Sequence, residues 1–141
     1  PDRSHLLAAI IQKVVAAKMN GLNSVSMWGD GSVRREFTYV QDVADFLVES
    51  LPKLAILPVS MNIGCGEDHS VLEYYKWVIE ELQARVEIIA DPSKPVGMTQ
   101  KLLDVRTAKS LGWNPRTTIT DGIRATINWY LSSNKIILPD D

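Results

Sequence analysis

The chain has 141 residues, 45% of them hydrophobic, which suits one domain with one compact core and excludes a disordered or low-complexity protein. Its 15 basic and 17 acidic residues are interspersed and give a formal charge of −2, so we expect a small-molecule partner and neither a nucleic acid nor a membrane. A single cysteine excludes an internal disulfide and, with two histidines, matches no metal-site spacing, which favours the reducing cytoplasm as the location.

Hydrophobic periodicity divides the chain into short strands that alternate with helices. In chain order the predicted elements are a helix over 7–19, strands over 25–28 and 36–40, a helix over 43–51, a strand over 60–63, a helix over 71–84, strands over 86–90 and 101–104, a brief helix before Gly112 and a last helix to about residue 132. This alternation indicates an α/β fold. Because about five short strands are few for a doubly wound sheet, we expect part of a larger sheet to be missing and apolar faces to lie uncovered.

Side chains with capping chemistry mark the predicted helix starts. Ser70 and Glu73, three residues apart, form a capping box. The other predicted N-caps are Ser4, Asp42, Thr107 and Thr120.

The most informative stretch runs from residue 28 to residue 45 and reads WGDGSVRREFTYVQDVAD. An aromatic ring such as that of Trp28 can stack on a base, and the guanidinium of Arg34 or Arg35 can bind a diphosphate or a ribose with two hydrogen bonds. Taken alone, the same residues are more typical of a core tryptophan beside a solvated turn.

This stretch resembles the extended short-chain dehydrogenase/reductases that act on nucleotide sugars, the NAD-dependent epimerase/dehydratase family. Residues 91–105, followed by Leu111-Gly112-Trp113, are similar to the segment that GDP-L-fucose synthases carry after their last sheet strand. The start, Ser4-His5 with an apolar helix, resembles the opening of their substrate domain. The resemblance extends from residue 4 to about residue 131.

The resemblance implies a fold and a reaction. Residues 1–141 would form a single C-terminal substrate-binding domain plus the closing elements of a Rossmann-type sheet, without the N-terminal dinucleotide-binding part. The parent reaction would epimerise a GDP-4-keto-6-deoxy-hexose beside its ketone and then reduce it with NADPH. A homodimer is left open.

The resemblance also assigns residues to the substrate. His5 matches the family's acid/base histidine, and Lys13, about 12 Å further along the predicted helix, matches a group that holds the diphosphate. Trp28 and Arg35 match the nucleotide contacts. The remaining substrate-site candidates are Arg34, Lys94 and Lys101. Without the resemblance, His5 would be a capping or surface residue and Lys13 a solvated lysine.

The sequence departs from the family in ways that bear on substrate and catalysis. Residues 96–101 read VGMTQK where the family usually has Asp-Gly-Thr-Pro-Arg-Lys, and Lys13 stands where an arginine is usual. The family's Gly-rich phosphate loop, Tyr-x-x-x-Lys pair and catalytic cysteine have no counterpart, and Cys65 is interpreted as structural. We therefore expect this chain alone not to transfer hydride.

Two other functions remain open at this stage. The Gly-Asp-Gly turn and the stretch after it suit a nucleotide-sugar 4-epimerase or 4,6-dehydratase equally well. A noncatalytic module that lost its cofactor half would also keep the fold. The aromatic cluster Tyr74, Tyr75 and Trp77 is interpreted as core packing.

Overall fold

The computed structural model describes residues 5–139 and shows a mixed α/β fold, as predicted. The helices are α1 (Leu6–Met19), α2 (Val40–Ser50), α3 (Val71–Glu81), α4 (Arg106–Ser110) and α5 (Ile119–Asn134), with a 3₁₀ helix over Leu51–Ile56. The strands are β1 (Ser24–Trp28), β2 (Arg34–Arg35), β3 (His69–Ser70), β4 (Glu87–Asp91) and β5 (Gln100–Lys101). Among these residues, none of the helices has the length and apolar character that crossing a bilayer requires.

Two small sheets organise the domain. In the first, β1 runs parallel to β4, with Ser24 opposite Glu87 and Trp28 opposite Asp91. In the second, β2 lies between β3, to which it is antiparallel, and β5, to which it is parallel. The main apolar core joins the buried faces of α1, β1, α3 and α5.

The predicted first helix is confirmed as α1. Strong local signals made this prediction possible. Its apolar residues face the core, with Ile10 and Val14 almost completely buried. Asn20 ends the helix, and Gly21 follows in the left-handed region with a φ of +62°. The predicted N-cap, Ser4, lies outside the described residues.

The capping box at the start of α3 is also confirmed. The Ser70 hydroxyl oxygen accepts a hydrogen bond from the backbone N–H of Glu73 (3.2 Å), and the Glu73 carboxylate accepts one from the Ser70 N–H (2.7 Å). These bonds satisfy two backbone donors that would otherwise lack a partner at the helix start. A pattern with two reciprocal bonds within four residues depends little on the rest of the fold.

The predicted strand over 36–40 is wrong. Strand pairing stops at Arg35, and Val40 already begins α2, three residues earlier than predicted. Asp42 is therefore not an N-cap but lies in the first turn of α2. Its carboxylate instead accepts hydrogen bonds from the N–H groups of Arg116 (3.1 Å) and Thr117 (2.9 Å), which come from a loop distant in sequence.

The predicted N-caps of α4 and α5, Thr107 and Thr120, are wrong as well. Val105 precedes α4, and no side chain caps this helix. Thr118, rather than Thr120, precedes α5, and its hydroxyl oxygen accepts a hydrogen bond from the N–H of Asp121 (3.2 Å). Two threonines spaced two residues apart give the same local signal, so only the backbone geometry distinguishes them.

The strand predicted over 60–63 does not form, because no described strand pairs with it. Its alternation survives, since Met61 and Ile63 pack against the small cluster around Phe46 and Trp113. Next to this segment, α2 and the 3₁₀ helix expose a run of apolar side chains: Val40, Leu47, Val48, Leu51, Leu54 and Ile56. Within the described residues this apolar surface is uncovered.

The two α5 threonines provide a test of the fold. We predict that Thr118→Ala lowers the free energy of unfolding by about 1 kcal/mol, because the helix loses its N-cap. Thr120→Ala should change it by less than about 0.5 kcal/mol, because the exposed Thr120 hydroxyl contacts the Thr118 hydroxyl (3.2 Å) but caps no backbone N–H group. Urea unfolding followed by circular dichroism measures both. A larger loss for Thr120→Ala than for Thr118→Ala would contradict the assigned start of α5.

Candidate functional site

A cavity of about 440 Å³ opens where α1, the end of β1, β2, α3 and the loop after β4 meet. Most of its wall is apolar, supplied by residues such as Ile10 and Val33. Four larger side chains with polar or π-electron groups join this wall: Lys13, Trp28, Arg35 and Tyr75. An apolar cavity with a few converging polar groups is the usual form of a small-molecule site.

Lys13 presents a positive charge at this wall. Its ammonium group donates hydrogen bonds to the backbone carbonyl of Ser26 (2.9 Å) and to the hydroxyl of Tyr75 (3.4 Å). Burial lowers the Lys13 pKa from its ordinary value. Both of these partners are neutral, so within residues 5–139 they hold the charge in place without neutralising it, and an anionic ligand would complement it.

Trp28 stands at the end of β1 and remains 53% exposed. The strand alternates, so Val25 and Met27 point into the core while Trp28 lies on the other face. A tryptophan ring in this position offers a flat surface on which a base or a sugar can stack.

The neighbouring arginines point to different places, because consecutive residues of a strand face opposite sides. The Arg34 guanidinium pairs with the buried Asp68 (Nε to Oδ1, 2.7 Å) and is not part of the cavity wall. Hydrogen bonds from Gln100 and then from Arg34 lower the pKa of Asp68, which keeps this carboxylate ionised. The resulting network ties β2 to β5.

Arg35 lines the cavity and holds the closing loop, which covers residues 92–99 between β4 and β5. Its guanidinium donates to the carbonyl oxygens of Met98 (2.8 Å) and Val96 (3.4 Å), and also to that of Arg34 (2.7 Å). From the core side, the Tyr74 hydroxyl donates to the Arg35 carbonyl (2.8 Å). Arg35 is therefore fixed at its backbone and at its side chain.

The loop after β4 reaches the cavity through Pro95 and Val96. Gly29 permits this approach, since a Cβ built on Gly29 would lie 2.1 Å from a methyl carbon of Val96. Gly29 also has a φ of +70°, which other residues rarely adopt. The first glycine of the predicted turn is thus required for both conformation and space.

Besides Arg34, three of the candidates from the sequence do not line this cavity. Lys94 and Lys101 are exposed, the first in the loop and the second on β5 beside Arg35. His5 is exposed at the start of α1, where its side chain makes no capping bond, although the next residue, Leu6, lines the cavity. The structure therefore brings together Lys13, Trp28 and Arg35.

A second cavity of about 530 Å³ lies between the 37–40 segment and the start of α5. Cys65 and His69 contribute to its wall. Burial raises the Cys65 pKa, which keeps the thiol protonated and less nucleophilic, as the structural interpretation requires. His69 packs edge-on against Trp77, with ring centroids 4.9 Å apart.

Comparison with known proteins now adds to this geometry. Residues 1–64 match the sequence profile of the NAD dependent epimerase/dehydratase family. A GDP-L-fucose synthase from Azorhizobium caulinodans is 43% identical over 136 residues, which cover 96% of this chain and 44% of that protein. The chain is therefore similar in sequence to proteins of the NAD-dependent epimerase/dehydratase family.

Other family members show similar agreement. A GDP-L-colitose synthase from Yersinia pseudotuberculosis is 37% identical, over 93% of this chain and 42% of that protein. The structure of a GDP-mannoheptose C4 reductase from Campylobacter jejuni with NADP bound superposes with a TM-score of 0.77 at 28% identity, over 90% of this chain and 45% of that one. The chain thus spans less than half the length of these family members.

Among the lining residues that were not site candidates from the sequence, Tyr75 and Val96 matter most for the shape of the cavity. Tyr75 was assigned to the core, and it is indeed only 3% exposed, yet it also contributes to the cavity wall. Val96 was noted only as a departure from the family. Both follow from packing: Tyr75 lies one helical turn after Val71, another lining residue, and Val96 sits over Gly29.

The contact between Gly29 and Val96 gives a prediction. We predict that Gly29→Ala destabilises the protein more than Gly21→Ala, because both residues have a positive φ but only Gly29 meets another side chain. The shared backbone strain costs about 1 kcal/mol, and the clash adds about 1–3 kcal/mol or displaces the loop. Thermal unfolding and the NMR shifts of Val96 measure the two effects. Equal stability of the two variants, with Val96 undisturbed in both, would contradict this packing.

Proposed function

We propose that the cavity binds the nucleoside diphosphate part of a nucleotide sugar, in an NADP-dependent epimerase/reductase that resembles GDP-L-fucose synthase. The observation that carries this proposal is the convergence of Lys13, Trp28 and Arg35 on one cavity of about 440 Å³. The names of the family members above support a GDP-linked sugar. The proposed substrate is a GDP-4-keto-6-deoxy-hexose.

Each residue has a proposed role that fits its chemistry. The Lys13 ammonium binds the diphosphate, and Trp28 stacks on the base. Arg35 lines the cavity and holds the closing loop through the carbonyls of Val96 and Met98, so its proposed role is to keep this loop over the nucleotide. Lys94 and Lys101 add positive charge outside the cavity, and Arg34 supports β5 rather than the ligand.

His5 is the proposed acid/base group. An imidazole can take and give a proton near neutral pH, which proton transfer beside a ketone requires. His5 is exposed and precedes Leu6, so it lies near the cavity without lining it. In this arrangement the sugar would extend from the diphosphate at Lys13 toward the start of α1.

The residues described here do not fit the cofactor. A dinucleotide pyrophosphate is held by a glycine-rich turn between a strand and a helix N-terminus, and no turn within residues 5–139 has that form. NADP supplies the hydride in the proposed parent enzyme. The roles proposed for this chain are limited to binding the nucleotide sugar and moving a proton at His5.

The apolar surface of the closing loop is also compatible with a second substrate class. Pro95 and Val96 present apolar surface to the cavity. An apolar wall discriminates weakly between bases, since it offers no hydrogen bonds to read them. A 4-epimerase or 4,6-dehydratase that uses a UDP or dTDP sugar is therefore the alternative, and a noncatalytic binding module is another.

Calorimetric titration with GDP, UDP and dTDP tests the proposal. We predict binding of GDP with a dissociation constant at or below about 1 mM, and weaker binding of UDP and dTDP. Trp28→Ala should weaken GDP binding by about 1–3 kcal/mol, the usual contribution of base stacking on an aromatic ring. Trp129→Ala is the matched control, because Trp129 is 68% exposed on α5 and does not line the cavity.

The outcomes separate the candidates. Preference for UDP or dTDP would favour the alternative enzymes. Equal effects of Trp28→Ala and Trp129→Ala on GDP binding would show that the nucleotide does not bind in this cavity. If none of the three nucleotides binds, the proposed function is wrong.

A further inference from the structure

Tyr75 connects three elements at the cavity wall through its hydroxyl group. The hydroxyl donates a hydrogen bond to the Ser26 carbonyl on β1 (3.0 Å) and accepts one from the Lys13 ammonium on α1 (3.4 Å). Lys13 donates to the same Ser26 carbonyl (2.9 Å), so the three groups form a closed triangle. Tyr75 itself comes from α3 and is 3% exposed.

This triangle of hydrogen bonds fixes the position of the Lys13 ammonium before a ligand binds. A lysine side chain is long and flexible, and its ammonium is strongly hydrated, so fixing it in one place costs conformational entropy. Two acceptors, the Ser26 carbonyl behind the cavity wall and the hydroxyl of the wall residue Tyr75, define where the ammonium sits. An ammonium has three donors, and the described residues occupy two of them, which leaves one for a ligand in the cavity.

We propose that Tyr75 is a positioning residue that holds the Lys13 ammonium against the cavity wall in the orientation that a diphosphate requires. The inference rests on the proposed function of the cavity and adds a residue to it. Burial raises the pKa of Tyr75 to about 12, so the hydroxyl keeps its proton and remains a donor to Ser26 at neutral pH. Tyr75 would therefore act through Lys13 rather than on the ligand's charge.

The alternative is that Tyr75 only fills space in the core. Phenylalanine keeps the ring and removes the hydroxyl, so Tyr75→Phe separates the two roles. Tyr74 provides a matched control, because it too is buried and its hydroxyl also donates to a backbone carbonyl, that of Arg35 (2.8 Å). No hydrogen bond joins Tyr74 to Lys13 in the described part of the chain.

A double-mutant cycle with Lys13→Met tests the proposal. Binding of GDP and of guanosine, which lacks phosphate, is measured by calorimetry for the unchanged chain, Tyr75→Phe, Lys13→Met and the double variant. We expect Tyr75→Phe to weaken GDP binding by about 3- to 10-fold, the size of one hydrogen bond, and to leave guanosine binding unchanged. In the Lys13→Met background, Tyr75→Phe should have no further effect, whereas the effect of Tyr74→Phe should be the same with and without Lys13.

Two results would overturn the positioning role. One is an equal loss of GDP affinity on Tyr75→Phe with and without Lys13, and the other is a loss for guanosine as large as for GDP. Either would show that the hydroxyl acts through the general packing of the cavity.

A second measurement does not depend on the ligand and separates failure of this inference from failure of the proposed function. NMR titration of the Lys13 side chain, assigned through Lys13→Met, follows the ionisation of its amine. Tyr75→Phe should lower the Lys13 pKa further, because the charged form loses an acceptor, while Tyr74→Phe should not. If GDP does not bind and the Lys13 pKa still falls in Tyr75→Phe, the proposed function fails and the positioning stands. An unchanged Lys13 pKa in Tyr75→Phe would contradict the positioning whatever GDP does.

Discussion

The parallel pairing of β1 with β4 is the constraint on which the candidate site depends. The pairing continues past the strands, since the Gly29 N–H donates to the Asp91 carbonyl (2.8 Å). Because parallel strands end at the same edge, Trp28 at the end of β1 lies beside the loop that leaves β4. The same strand supplies the Ser26 carbonyl to Lys13 and Tyr75. A shift of β1 would therefore displace the stacking surface, the cation and the closing loop together.

The two arginines anchor the closing loop at different places, one at its far end and the other at its middle. Arg34 fixes the far end, because its pairing with Asp68, which also binds Gln100, ties β2 to β5. Arg35 holds the middle of the loop through its carbonyl groups. The alternation of a two-residue strand thus separates a residue that supports the sheet from one that faces the cavity. The loop then presents apolar side chains, which limits how strongly it can discriminate between bases.

Local signals in the sequence predicted the elements that depend on local bonds. The first helix and the Ser70 capping box fall into this class, because periodicity and capping act within a few residues. The strands over 36–40 and 60–63 were wrong, since a strand needs a partner that its own residues do not specify. The cavity wall shows the same division: Lys13, Trp28 and Arg35 are candidates through the family resemblance and line one cavity, whereas Tyr75 was interpreted as core although a core residue can also face a cavity. Strand alternation could have separated Arg34 from Arg35.

A crystal structure of the protein with saturating GDP is the most direct test of the convergence of these residues on a nucleotide. We predict the diphosphate within hydrogen-bonding distance of the Lys13 ammonium, the base stacked on Trp28, and the loop from Pro95 to Met98 over the ligand. Electron density for GDP in the second cavity, beside Cys65 and His69, or on the exposed surface of α2, with the Lys13 cavity empty, would contradict it.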